Sequence, residues 1–145
     1  MVLYSSAVNM EDEPNSKKRH PQHQTQWAAQ FAVASELCKR GYQVAFTMGN
    51  HPVIDLMVIS PNGIPFSVDV KGQHKRAFWP MQRKNSTKDL FYVLALVPSG
   101  KENRFFILNQ DQANEGIDWA ESPRFPGIDA AFADRFADKW DSLPT

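Results

Sequence analysis

Sulfur chemistry is nearly absent from this chain. Of 145 residues one is cysteine, Cys38, so no intramolecular disulfide can form and nothing asks for an oxidising compartment. Long apolar runs are missing too: no stretch of about 18 consecutive apolar residues reads as a membrane span. The short apolar start, Met1 to Val8, runs into Glu11, Asp12 and Glu13 without the apolar core of a secretory signal. The expected location is the cytoplasm. Neither charge is in excess, with 16 Lys+Arg against 16 Asp+Glu. That excludes a uniformly basic surface that coats nucleic acid whatever its sequence, so any nucleic-acid contact has to use a local patch. There is no internal repeat, low-complexity tract, helix-turn-helix or zinc finger. His20 and His23 have no cysteine partners, which argues against zinc.

What is present suffices for one folded unit. Hydrophobic residues make up 42% of the chain, ordinary for a globular protein able to bury a core. Residues 1–24 are polar, with Pro14, Pro21 and the basic cluster Lys17-Lys18-Arg19, and read as a tail; residues 25–145 read as a single domain. Helical periodicity runs from Gln26 to Arg40, where Trp27, Phe31, Ala34 and Cys38 recur on one face, which makes Cys38 a small buried hydrophobe, and Gly41 closes the helix.

Three strand-like runs follow. Tyr42–Thr47 ends at Met48-Gly49-Asn50-His51-Pro52. Val53–Ser60 places Ile54, Leu56 and Val58 on one face and Asp55 and Met57 on the other. Pro61-Asn62-Gly63 is a hairpin signal, and Phe66–Lys71 then alternates Phe66, Val68 and Val70 against Ser67, Asp69 and Lys71. A basic segment from Gly72 to Asp89 carries Lys75, Arg76, Arg83, Lys84 and Lys88 around Phe78 and Trp79. Leu90–Val97 has the near-continuous apolarity of a strand buried on both faces, and Arg104–Leu108 pairs back onto it after Pro98-Ser99-Gly100. The remainder is helical in patches, with Ala130–Trp140 as a closing helix.

The hairpin is what carries chemistry. Antiparallel pairing with period-two alternation puts Asp55, Asp69 and Lys71 on one side of the sheet. Two carboxylates brought together repel unless a cation lies between them, and hard oxygen ligands suit Mg²⁺ or Mn²⁺. An ion held by Asp55, Asp69 and the backbone carbonyl of Val70 would act as a Lewis acid on a phosphate and acidify a water, with Lys71 orienting that water or stabilising charge on the phosphate. The competing reading is a cross-strand ion pair on an exposed hairpin face, worth a fraction of a kcal/mol. Spacing alone does not separate the two. In the basic segment, Lys75, Arg76, Arg83 and Lys84 are candidate phosphate contacts. Trp79 either stacks on an unpaired base or packs with Phe78 as core. His51, close to Asp55, is either a proton-transfer group or a loop residue without a role.

Ile54-Asp55, followed after a hairpin by Ser67-Val68-Asp69-Val70-Lys71, resembles the signature of the PD-(D/E)XK nuclease superfamily, and the preceding helix ending in Arg40-Gly41-Tyr42 resembles its first helix. The resemblance covers roughly residues 26–108, with a fainter likeness at Trp140-Asp141-Ser142-Leu143. It implies an α/β (α+β) fold with a mixed sheet and a restriction-endonuclease-like core, ordered helix, three strands, helix, strand, with an added strand and C-terminal helices. It also implies Mg²⁺- or Mn²⁺-dependent hydrolysis of DNA phosphodiesters, with a homodimer as one way to cut both strands. Ile54 stands where the superfamily signature usually has proline, and Gln30 where many members carry a metal-binding glutamate; Glu36, on the far side of the helix, is no substitute. Gln30 offers a neutral carbonyl oxygen instead. Gln73, two residues past Lys71, falls where several related nucleases carry a glutamine by the metal site; it is either a holder of a water or a phosphate oxygen or a polar residue at the strand edge without a role. The alternative is a binding module of the same fold that holds nucleic acid or protein without cleaving.

Overall fold

A computed structural model describes residues 21–120 and 125–145. The chain is α+β: a mixed five-stranded sheet with helices against both faces. The Lys17-Lys18-Arg19 cluster and His20 lie outside the described residues.

Helix α1 spans Gln22–Lys39, so it begins inside what composition suggested was tail, directly after Pro21. It ends as Gly41 foretold. Gly41 takes φ +89°, its N–H donates to the Cys38 carbonyl, and the Tyr42 N–H reaches back to Leu37. These two bonds satisfy carbonyls that a helix end leaves open. The buried face is not the expected one. Ala29, Val33 and Leu37 form it, with Gln30 and Ala34 beside them, whereas Phe31 is 56% exposed and Cys38 is exposed. The reason is a close approach. A Cβ added at Gly72 would lie 2.6 Å from the Ala29 Cβ, so α1 sits too near the sheet for aromatic side chains between them. Trp27 and Phe31 turn aside instead, Phe31 meeting Phe46 at 5.3 Å between ring centroids.

Strands β1 (Gln43–Phe46), β2 (Leu56–Ile59) and β3 (Pro65–Gln73) form an antiparallel meander. The hairpin between β2 and β3 closes at Gly63, φ +87°, whose N–H donates to Ser60. Strand β2 is shorter than the apolar run predicted. The His51 Nδ1 accepts from the Val53 and Ile54 N–H groups and bends the chain there, so Ile54 packs in a different cluster from Leu56 and Val58. Beyond β3 the expected helix is replaced. The crossover to β5 (Leu90–Leu96) carries only a short strand, β4 (Phe78–Pro80), which pairs with β7 (Gly127–Asp129) in a separate two-stranded sheet. A segment holding Pro80, and with seven cationic or aromatic side chains from Lys75 to Lys88, offers no apolar helical stripe to dock. Strand β5 lies parallel to β3, and β6 (Arg104–Asn109) pairs back antiparallel, giving the order β1-β2-β3-β5-β6.

Helix α2 (Gln110–Trp119) opens on a capping box in which the Asn109 side chain and the Gln112 side chain each bind the other's backbone N–H. The closing helix expected over 130–140 is only α3 (Ala130–Ala133), one 3₁₀ turn, then Asp138 at φ +53°. Trp140 therefore leaves that line and packs on Phe105 in the core beneath α1. Two apolar clusters result: one between the sheet and α1, the other between β5–β6 and α2, α3, β4 and β7. The second layer covers only part of its face. Over β1 and β2, Met57 (59%) and Ile59 (42%) remain exposed. No helix among the described residues is long and apolar enough to cross a membrane.

Candidate metal centre

The geometry of the site follows from where β2 stops. Its pairing with β3 ends at Leu56–Val68, and the Asp55 N–H adds one further bond to the Val68 carbonyl. From Val70 onward the β3 edge has no strand beside it, and the Asp55 carboxylate fills the first place, Oδ2 accepting from the Val70 N–H at 2.8 Å. Asp69, the residue of β3 before Val70, is 4% exposed and lies close enough to Asp55 for the two carboxyls to shift each other's ionisation. Lys71 Nζ stands 3.3 Å from Asp69 Oδ2, its side chain 35% exposed. The three residues singled out by alternation are together.

Two acids this close and this dry resist ionisation. Burial pushes Asp69 up to about 6; the Lys71 ammonium opposes this and the Asp55 charge reinforces it. Asp55 is also raised, by burial first, against the Val70 N–H that favours its charged form. Tyr92, the β5 partner of Asp69 in the parallel pairing, is raised by burial and then by the Asp69 charge. The Tyr92 hydroxyl donates to Gln110 at 2.7 Å, and the Gln110 amide donates to Asn114.

Gln30 is buried, and its Nε2 points at Asp55 Oδ1 from 3.4 Å. Its Oε1 is buried with no hydrogen-bond partner. An orphaned buried carbonyl oxygen is uncommon and asks for a donor or a cation. No group of three or more His, Cys, Asp or Glu gathers among the described residues. Two carboxylates flanked by neutral oxygens still fit Mg²⁺, which keeps several of its own waters. The Val70 carbonyl faces the same edge and accepts from the Gln26 side chain at 2.7 Å.

The other candidates divide. Gln73, half-buried, closes β3 on the face of Asp69 and Lys71. Lys75 and Arg76 are exposed just past that strand end, with the Arg76 guanidinium 5.4 Å above the Phe78 ring. Arg83 and Lys84 belong to a second group. Arg83 pairs with Asp118, and the Lys84 backbone exchanges two bonds with Asn114, which fastens this loop along α2. Trp79 is 1% exposed, against Phe106 and with its Nε1 donating to the Ala95 carbonyl, so it is core and cannot stack on a base. The His51 Nδ1 is engaged with backbone, which gives that residue a turn-forming role. Sequence reasoning passed over Gln26 and Tyr92. The signal for Gln26 was there: two glutamines four residues apart put an amide pair on a helix face that is otherwise apolar.

Comparison with protein families, curated proteins and solved structures returned no match, so what the site does is argued from its geometry.

Proposed function

We propose that this chain is a Mg²⁺- or Mn²⁺-dependent nuclease that hydrolyses DNA phosphodiester bonds, on a core of the restriction-endonuclease type. One observation carries the reading. Asp55 and Asp69, from separate sequence segments, meet carboxyl to carboxyl beside Lys71 and the unpartnered Gln30 oxygen. A surface ion pair needs neither the burial nor the second acid.

A divalent ion, when bound, supplies positive charge to the phosphate and an acidified water. The residues supply the rest. Asp55 and Asp69 offer anionic oxygens, and Val70 and Gln30 neutral ones. Lys71 directs its ammonium at the reacting phosphate, where it lowers the cost of the charge that develops there. Gln73 holds a phosphate oxygen at the strand end. Lys75 and Arg76 seat the flanking backbone phosphates, and Arg83 and Lys84 do so further along the duplex. A homodimer is one way for such an enzyme to cut both strands.

The test incubates plasmid and single-stranded DNA with the protein and Mg²⁺ or Mn²⁺, beside an Asp69→Ala variant. Cutting by the wild type alone is expected. Equal cutting by the two, or none by either, refutes the enzymatic reading and leaves a module that binds without cleaving.

A further inference from the structure

Gln26 lies one helical turn before Gln30, and its amide spans the open edge of β3. Nε2 donates to the Val70 carbonyl at 2.7 Å, and Oε1 accepts from the Gly72 N–H at 3.2 Å. With Asp55 on the Val70 N–H, two side chains occupy the places a neighbouring strand would fill. The Val70 main chain is thus gripped at both ends, by the acid on its N–H and by the amide on its carbonyl. Gly72 makes the grip possible. A Cβ there would fall 2.6 Å from Ala29, 3.2 Å from the Thr25 carbonyl and 3.3 Å from Gln26 Oε1.

We infer that Gln26 is a positioning residue for cation binding: it fixes the Val70 carbonyl as an oxygen donor and couples the docking of α1 to the shape of the site. This rests on the nuclease reading above. A carbonyl has two lone pairs, and a single N–H leaves one for a cation. An unclamped carbonyl at the end of a pairing turns to solvent, and the ion then has to order it. Removing a hydrogen-bond partner of a metal ligand typically weakens affinity by about 10–100-fold.

Three forms of the full chain are titrated with MnCl₂ by calorimetry: wild type, Gln26→Met, and Val33→Ala. Methionine keeps the length of glutamine without its polar atoms. Val33 is fully buried on the same helix and away from the clamp, so Val33→Ala loosens α1 without touching the Val70 carbonyl. Gln26→Met is expected to bind Mn²⁺ about 10–100-fold more weakly, with Val33→Ala equal to wild type. Equal affinity in Gln26→Met overturns the inference and spares the nuclease reading. Equal weakening in both variants overturns it as well, since any loosening of α1 would then suffice. No Mn²⁺ binding by wild type removes the nuclease reading itself. Should Gln26→Met fail to fold, amide exchange of wild type decides: the Gly72 N–H is expected to exchange more slowly with Mn²⁺ present, and an unchanged rate overturns the inference.

Discussion

Replacing Asp69 by asparagine should make the metal-free protein more stable at neutral and alkaline pH while abolishing cleavage. Asp69 titrates near 6 in the fold against an ordinary 3.8. The folded state therefore holds its proton more tightly than the unfolded chain does. The stability this contributes is fully present below the ordinary value of 3.8 and is lost as the pH rises through about 6. The difference between those two values corresponds to on the order of 3 kcal/mol. Asparagine does not ionise, and its amide adds no negative charge beside Asp55. Relative to wild type, Asp69→Asn should gain that amount between pH 4 and pH 8. Urea denaturation in EDTA, read at pH 4, 6 and 8, measures it; with a slope of ~2 kcal/mol per molar, the midpoint moves by about 1–2 M. A divalent ion should close most of that gap at pH 8. Wild type gains about 2.7 kcal/mol when Mn²⁺ stands at 100 times its dissociation constant, and the variant gains little. A stability difference that does not vary with pH, or one that favours wild type increasingly as pH rises, would refute the reasoning.

Three further outcomes follow from the same geometry. Lys71→Ala should keep Mn²⁺ binding in calorimetry and lose about 10²–10³ in cleavage rate, because the proposed nuclease reading assigns its ammonium to the substrate phosphate rather than to the ion; unchanged rates would show that Lys71 serves only as the ion-pair partner of Asp69. Gly72→Ala should destabilise by about 1–3 kcal/mol through overpacking against Ala29, measured by urea denaturation. Tyr92→Phe leaves the buried Gln110 carbonyl oxygen without its donor and should cost about 1–3 kcal/mol on the same assay, with the Mn²⁺ affinity retained.

The turn at Pro61-Asn62-Gly63 and the alternation after it were legible, and with them the meeting of Asp55, Asp69 and Lys71. Both depend on local chemistry: a positive-φ glycine and a period of two. The end of α1 at Gly41 was legible for the same reason. Which face of α1 turns inward was not, because Trp27 and Phe31 outweigh Ala29 and Val33 in apolar area and the constraint lies far away in sequence, at Gly72. For Gln26 the i, i+4 pairing with Gln30 was visible but its partners were not: they are the backbone of Val70 and Gly72, and main-chain groups leave no mark in a side-chain pattern. The irregular crossover carrying Trp79 is settled by its pairing with residues 127–129, a contact no local window contains. The break after Ala133 depends on Trp140 finding Phe105 rather than continuing a helical line.

The uneven second layer bears on how the molecule behaves in solution. Met57 and Ile59 stand open beside an edge strand only four residues long, and the chain carries no net charge, with a pI near 6.9. Near neutral pH there is no long-range repulsion to keep copies apart, and an uncovered apolar face gives them somewhere to stick. Solubility should therefore pass through a minimum around pH 7 and recover on either side. The shortness of β1 then acts as a safeguard, offering an incoming strand too few free backbone groups to extend the sheet.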